Sequence, residues 1–304
     1  MTPVFDPGLF LYRARPVSTT FNKENGIGRK DLIYPPKPRV RLGRLNRSEQ
    51  PVFYTSMHKE PVFFEKPRCE GGQRTRPVIL ETAEKLIVNN IGYTEYVFRL
   101  FGAHRAVPRW EKPSDPNSNK DAISLPEFSA ESVEKVLSED ECREIHEAFS
   151  KYFMKSVASG DEHQYKLTTA IGELHLGDIK NLGTRFAGAL YPSTRMWANG
   201  DNLALLPWFV DKHLEFRKAL HVRIDAPTDT GFSVTYLDSA RGFDDSGNLI
   251  WSGKPPHWSL DPGKEGKFTF VLGLDEDGDF LKSKNGPGHW VAVDAVTGEP
   301  IRMR

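Results

Sequence analysis

The chain has little cysteine, no excess of either charge and no long apolar run, and each shortage excludes a class of protein. Cys69 and Cys142 are its only cysteines, too few for a disulfide framework or a cysteine-based zinc site. Its 41 basic residues balance 41 acidic ones, so no net charge attracts nucleic acid or a membrane surface. The most apolar stretch, 203–210, is too short to span a bilayer. We therefore expect a soluble, cytoplasmic protein with no membrane contact and no direct nucleic-acid binding.

The sequence also lacks a complete metal-binding motif. Asp275, Asp277 and Asp279 resemble part of a calcium loop. Phe280 stands where that loop requires Gly, so we interpret the acidic cluster as a hairpin turn. The nine His residues show no zinc-protease motif, and we expect no metal.

Alternating and apolar runs predict strands at both ends of the chain. The composition, 38% hydrophobic and 11% aromatic over 304 residues, predicts a packed core of one large domain or two modest ones. After position 221 the pattern becomes short strands, with turn signals at 245–248 and 277–279. The earlier predicted strands are 10–15, which Pro16 ends, 51–55, 62–64 and 186–191.

Helical patterns occupy the middle of the chain. Ser138 and Glu141 form a capping box, in which each side chain serves the other residue's backbone N–H, and this predicts a helix over 139–158. Helical spacing also occurs at 79–100 and 165–176. The capped helix has an apolar stripe that must pack on the same chain or across a homodimer interface, formed by Cys142, Ile145, Phe149 and Phe153.

Two separated stretches contain the candidate functional residues. The first begins with Gly-Arg-Leu-Asn at 43–46, and the second is Tyr-Pro-Ser-Thr-Arg at 191–195. Arg44, Tyr54 and Glu65 follow one another at intervals of ten and eleven residues. These two stretches alone point to a particular chemistry.

Arg44 lies at the start of a predicted strand. A guanidinium there can hold a pyrophosphate through two parallel charge-assisted hydrogen bonds, which a lysine cannot reproduce. The alternative is a solvated surface arginine, because Arg39, Arg41 and Arg47 crowd the same segment.

Tyr54, Glu65 and Ser193 each allow a functional and a structural interpretation. The flat face of Tyr54 suits stacking on a ligand ring, but an aromatic residue in such a strand also suits the core. Glu65 follows three apolar residues, so its carboxylate either borders a desolvated pocket or caps a strand facing water. Ser193 follows Pro192 in a loop after a buried strand, where ligand contacts are common, and lacks the flanking glycines of a hydrolase nucleophile.

The Arg44–Tyr54–Glu65 spacing, with Ser193, resembles the RES family, which is named for its Arg, Glu and Ser and whose characterised members are toxins that destroy NAD. The string at 188–195, followed by 202–207, is similar to the family's Ser motif. The likeness covers roughly the first 225 residues of this chain.

The resemblance implies an α+β fold, with a RES or ADP-ribosyltransferase-like mixed sheet core and helices. The core would occupy 1–225, with a largely helical insertion at about 66–165, and a β-rich C-terminal extension would occupy 226–304, packed on the same domain. By the same resemblance the catalytic residues would be Arg44, Tyr54, Glu65 and Ser193. Residues implied to bind NAD are Arg13 and Arg44 at the phosphates, Tyr54 on the nicotinamide side, Ser193, Asn46 and Arg195.

The activity implied is cleavage of the nicotinamide–ribose bond of NAD. Glu65 would face the nicotinamide ribose, and inorganic phosphate or water would accept the ADP-ribosyl group, without a metal. The chain would then be an NAD phosphorylase or glycohydrolase, as in toxins paired with a helix-turn-helix antitoxin. Two alternatives stay open: a mono-ADP-ribosyltransferase acting on a protein, and a non-catalytic nucleotide- or partner-binding protein.

Overall fold

The chain is a mixed α+β structure built on a large, mostly antiparallel sheet, which confirms the α+β prediction. Its elements come from a computed structural model. The model describes residues 3–16, 26–58, 61–64, 73–100, 138–155, 157, 161–176, 185–194, 198, 200–224, 231–254, 267–271 and 291–294.

Twelve strands form the described sheet. The strands of the first half are β1 Val4–Phe5, β2 Phe10–Pro16, β3 Phe53–Ser56, β4 Gln73–Thr82 and β5 Leu86–Asn90. Those of the second half are β6 Gly188–Pro192, β7 Asp201–Leu205, β8 Leu214–Ile224, β9 Gly231–Phe243, β10 Leu249–Trp251, β11 Lys267–Val271 and β12 Val291–Asp294.

Six α-helices accompany these strands in the described residues. The helices are α1 Arg29–Leu32, α2 Pro61–Phe64, α3 Glu95–Leu100, α4 Glu139–Met154, α5 Tyr165–Leu176 and α6 Pro207–His213. None of these helices is long and apolar enough to cross a membrane.

The strand order is β1-β5-β6-β7-β3-β2-β4-β8-β9-β11-β12, with β10 paired to β9. Among the described pairings only β5 with β6 is parallel. Strands β2 and β3 therefore lie near the middle of the sheet, flanked by β4 and β7. Strand β9, in the predicted C-terminal extension, pairs directly with β8, so the described extension continues the same sheet.

Alternate residues of the central strands point to opposite faces of the sheet, and each face has its own core. Phe53, Leu203 and Leu205 belong to the larger core cluster on one face. Tyr191 and Ala204 belong to the cluster on the other face, where α4 and α5 also pack. Tyr54 packs against this second cluster, so helices α4 and α5 cover the face of the sheet that carries Tyr54.

Several local predictions are confirmed. Strand β2 covers the predicted run at 10–15, strand β3 overlaps the predicted strand at 51–55, and α5 has the predicted bounds. Strand β6 is buried along its whole length, as expected for 186–191. The turn predicted at 245–248 connects β9 to β10, where the Gly247 N–H donates to the Asp244 carbonyl at 2.8 Å. The other predicted turn, 277–279, lies outside the described residues.

Helix α4 begins where the capping box places it, but only its second half packs on the protein. The Ser138 side chain accepts from the Glu141 N–H, and the helix ends at Met154 rather than at 158. Phe153 is fully buried and Phe149 partly buried, whereas Ile145 and Cys142 are exposed. The capping box stabilises the first turn of α4 through hydrogen bonds and does not require that this turn be buried. The first half of the apolar stripe is therefore exposed, and only its second half is covered by the protein.

Two predictions about the first hundred residues are wrong. The run at 62–64 is part of the helical turn α2, because Pro61 has the backbone angle of a first helical residue. The segment 79–100 contains β4, β5 and only a short helix, α3. Burial there alternates, with Val78 and Leu80 inside and Ile79 half-exposed, which is the period of a strand. The described part of 66–165 therefore contributes two sheet strands as well as helices.

The strands after position 221 are not all short. β8 contains 11 residues and β9 contains 13, and they pair over 219–224 of β8 and 234–240 of β9. A register shift between His221 and Val222 interrupts the pairing, and such bulges let long strands bend.

Candidate functional site

A cavity of about 330 Å³ lies where β2 and β3 meet. These antiparallel strands share a single registered pair, Tyr12 with Ser56. Residues from both strands line the cavity beyond that pair, among them Arg13 and Tyr54. The site is thus built where two neighbouring strands of one sheet stop pairing.

A row of polar side chains crosses four adjacent strands at the cavity floor. Tyr12 of β2 pairs with Ser56 of β3, Ser56 with Asn202 of β7, and Asn202 with Tyr191 of β6. Directly paired residues in antiparallel strands point to the same face, so these four side chains share one side of the sheet. All four line the cavity.

Arg13 brings a poorly solvated positive charge to this cavity. Its Nη1 donates to the Tyr54 carbonyl at 2.7 Å, and its guanidinium lies 5.1 Å from the centre of the Phe53 ring. Its Nε is buried without a hydrogen-bond partner among the described residues. Burial, reinforced by the charge of Arg15, lowers the pKa of Arg13 to about 9. A buried cation of this kind favours an anionic ligand.

Arg44 also lines the cavity, but part of its guanidinium is engaged by the protein. Nη1 donates to the Phe153 carbonyl at 2.5 Å, and Nη2 donates to the Lys155 carbonyl at 3.2 Å. The guanidinium also lies over the Tyr165 ring, 5.4 Å from its centre. Arg44 therefore caps the C-terminal end of α4, where carbonyl groups lack helical partners and attract cations. It is not the solvated arginine of the structural alternative.

Tyr54 is held by the loop that carries Arg44. Its hydroxyl accepts from the Leu45 N–H and donates to Asn46 Oδ1, both at 2.8 Å. Burial raises the pKa of Tyr54. The Asn46 side chain is buried and donates to the Arg41 and Arg47 carbonyls, so it organises the loop instead of lining the cavity.

Ser193 is fully buried in the turn between β6 and β7. Its N–H donates to the Gly200 carbonyl at 2.8 Å, and its carbonyl accepts from the Ala198 N–H at 2.9 Å. The neighbouring Thr194 lines the cavity, and Ser193 does not. Two other predicted site residues, Glu65 and Arg195, lie outside the described residues.

A buried carboxylate fixes the start of β7 beside the cavity. Asp201 accepts from the Tyr93 hydroxyl, and its other oxygen lies 3.3 Å from His58 Nε2. The Ser56 hydroxyl donates to the Asp201 carbonyl at 2.8 Å. These contacts tie β3 to β7 and position Asn202, which follows Asp201 and faces the cavity.

The structure thus brings Arg13, Arg44 and Tyr54 to one cavity. The lining residues that were not predicted as site residues include Tyr12, Ser56, Tyr165, Tyr191, Thr194 and Asn202. Some of these positions lie in predicted strands, but their shared row depends on pairings between distant segments that no local motif encodes.

The described lining contains two arginines, four tyrosines and several hydroxyl groups, but no Asp or Glu. Two cations with aromatic walls favour an anionic ligand that also carries flat rings. Nowhere in the described residues do three or more His, Cys, Asp or Glu side chains cluster closely enough to hold a metal ion.

Comparison with models of known protein families and with curated protein sequences finds no match to this chain.

Proposed function

We propose that the chain binds NAD in this cavity and cleaves its nicotinamide–ribose bond, as an NAD phosphorylase or glycohydrolase of RES or ADP-ribosyltransferase-like fold. The observation that supports this most is the position of Arg13. Its poorly solvated guanidinium lines a cavity in which no described side chain supplies a negative charge. The pyrophosphate of a dinucleotide supplies that charge.

The other lining residues suit the remainder of the same ligand. Arg44 uses two N–H groups on backbone carbonyls, and a guanidinium has five, so three remain for a phosphate. The Tyr54 hydroxyl is tied to the loop, which immobilises the ring for contact with the nicotinamide side. The turn that carries Ser193 presents Thr194 to the ligand, so Ser193 acts by holding this turn.

Cleavage needs a group that stabilises positive charge on the ribose. Breaking the nicotinamide–ribose bond generates an oxocarbenium-like transition state, as in glycoside hydrolysis. In this proposal the Glu65 carboxylate stabilises that charge more in the transition state than in the ground state. Glu65 is close in sequence to Val62 of α2, which lines the cavity.

The decisive experiment is incubation of the purified chain with NAD, with and without inorganic phosphate, followed by product identification. Free nicotinamide is expected in both cases if water accepts the ADP-ribosyl group, and only with phosphate if the enzyme is a phosphorylase. ADP-ribosylated protein would instead identify a transferase. The Arg13→Met variant is the matched control, since it lacks the buried charge and should bind NAD only weakly.

A second candidate is a non-catalytic nucleotide-binding protein. The observation that favours it is the structural engagement of Arg44 and Tyr54, which already serve α4 and the loop at 43–46. Binding of NAD without release of nicotinamide, under either phosphate condition, would select this candidate. Absence of NAD binding to the wild-type chain would remove both.

A further inference from the structure

Tyr165 forms an aromatic wall of the cavity next to Arg44. It is the first residue of α5, half-buried, and no part of the Arg–Tyr–Glu spacing or of the Ser motif includes it. Both Tyr165 and Val157 line the cavity, so the chain returns to the site between the end of α4 and the start of α5.

Arg44 holds the Tyr165 ring in place. The Arg44 guanidinium lies over the ring, 5.4 Å from its centre, within the range of a cation–π contact. The same guanidinium bonds to the Phe153 and Lys155 carbonyls, so its own position is fixed. A ring that is oriented before binding loses little conformational freedom when a ligand stacks on it.

The charge beside Tyr165 selects the kind of ring that it can stack on. Arg44 covers part of the ring and opposes a second cation nearby. The nicotinamide ring of NAD is itself positively charged, whereas adenine is neutral and stacks readily on tyrosine. The position beside Arg44 also places Tyr165 next to the proposed phosphate site, from which the adenosine half extends.

We propose that Tyr165 stacks on the adenine base of the ligand and is a specificity-determining residue of this site. This inference rests on the proposed function, because it takes NAD as the ligand. Arg13 and Arg44 then hold the phosphates, and Tyr54 keeps its proposed place on the nicotinamide side.

The test measures the dissociation constants of NAD, AMP and nicotinamide mononucleotide for wild type, Tyr165→Leu and Tyr165→Phe. Tyr165→Leu should raise the dissociation constants of NAD and AMP about tenfold, which is the scale of one lost base–aromatic stack. The dissociation constant of nicotinamide mononucleotide should stay within about twofold of its wild-type value. Tyr165→Phe keeps the ring and should bind all three like wild type. Nicotinamide mononucleotide also carries a phosphate, so it reports whether Arg44 has been disturbed.

Tyr152→Leu is the matched control, because Tyr152 is a tyrosine of α4 that is 48% exposed and does not line the cavity. A thermal melt of each variant verifies folding. The adenine assignment would be overturned if the variant bound NAD and nicotinamide mononucleotide equally less tightly, or if its affinity for AMP did not fall. Either result would still be compatible with NAD as the ligand of the cavity. If wild type binds none of the three ligands, the proposed function fails and this inference fails with it.

Discussion

The guanidinium of Arg44 donates a 2.5 Å hydrogen bond to the backbone carbonyl of Phe153, the penultimate residue of α4. The two residues are 109 positions apart in the chain. One side chain thus joins the cavity to the helix that covers this face of the sheet, so changes at Arg44 report on binding and on folding together.

We expect Arg44→Lys to weaken NAD binding by about 1.5–3 kcal/mol, because lysine keeps the charge but lacks the planar fork. The same variant should melt at a lower temperature, since an ammonium group cannot reach both carbonyls at the end of α4 with the same geometry. Calorimetric titration and thermal denaturation measure the two effects. Arg47→Lys is the control, because Arg47 pairs with Glu173 at the surface. Equal losses in both variants would contradict the phosphate role of Arg44.

The affinity for NAD should depend on pH through Arg13. Its pKa is lowered to about 9, so the guanidinium is charged below that pH and loses its proton as the pH rises through it. A bound phosphate favours the charged form, so NAD should bind best below about pH 9 and progressively less well above it. Titrations of wild type and Arg13→Met over this range measure the effect. The variant should bind weakly at every pH, and a wild-type slope that persists in it would exclude Arg13 as the source.

Glu65→Gln should abolish charge stabilisation while preserving the shape of the side chain. We expect turnover of NAD to fall by on the order of a hundredfold or more with little change in NAD affinity, as for an interaction made only in the transition state. Steady-state rates of nicotinamide release and equilibrium titration separate the two quantities. Glu84→Gln, in the exposed turn between β4 and β5, is the control. Unchanged turnover in Glu65→Gln would remove this residue from the mechanism.

The two halves of α4 should respond differently to the same substitution. Phe149 packs in the core cluster on the cavity face, whereas Ile145, one helical turn earlier, is 38% exposed. Phe149→Asp should lower the melting temperature strongly or prevent folding, because it buries an unpaired charge. Ile145→Asp should leave the melting temperature close to that of wild type. A shift in oligomeric state for Ile145→Asp would instead indicate a dimer interface along this stripe.

Gly188 allows β6 to approach β7. A Cβ atom added there would lie 2.1 Å from the Ala204 carbonyl oxygen, which no local adjustment of a side chain relieves. Gly188→Ala should therefore destabilise the fold by roughly 1–3 kcal/mol or more, measured by chemical denaturation. Gly242→Ala is the matched control in β9, where an added Cβ meets no atom within 4 Å. Equal stability of the two variants would show that β6 can move away from β7.

Local signals predicted the elements whose ends are encoded nearby. The capping box of Ser138 and Glu141 marks the start of α4 because both partners lie within one helical turn. The sequence pattern at 79–100 does not distinguish a helix from strands, because apolar residues occur in it at both helical and alternating spacings. The first part of this segment is a strand because β4 pairs with β2 and β8. These pairings join segments that are distant in the sequence, so the local pattern does not reveal them.

The candidate site shows the same division. The positions of Arg44 and Tyr54 on one loop and the following strand were evident from their spacing. The hydrogen bond from Arg44 to the Phe153 carbonyl could not be predicted, because it depends on where helix α4, in a distant segment, ends. Nor could the polar row be predicted, because Tyr12, Ser56 and Asn202 meet only once β2, β3 and β7 are paired.

The position of β3 between β2 and β7 has a kinetic consequence. β3 leaves the ribosome early, but one of its two neighbours, β7, follows only after a long intervening stretch of chain. Contacts between such distant segments form only after a long loop has closed, which costs conformational entropy before the contacts can stabilise the chain. Such contacts therefore slow folding. During synthesis one edge of β3 is therefore unpaired for an extended time, and the cavity floor is assembled only when β7 docks. Nascent chains that end before Asn202 should be prone to aggregation and bind no ligand at this site.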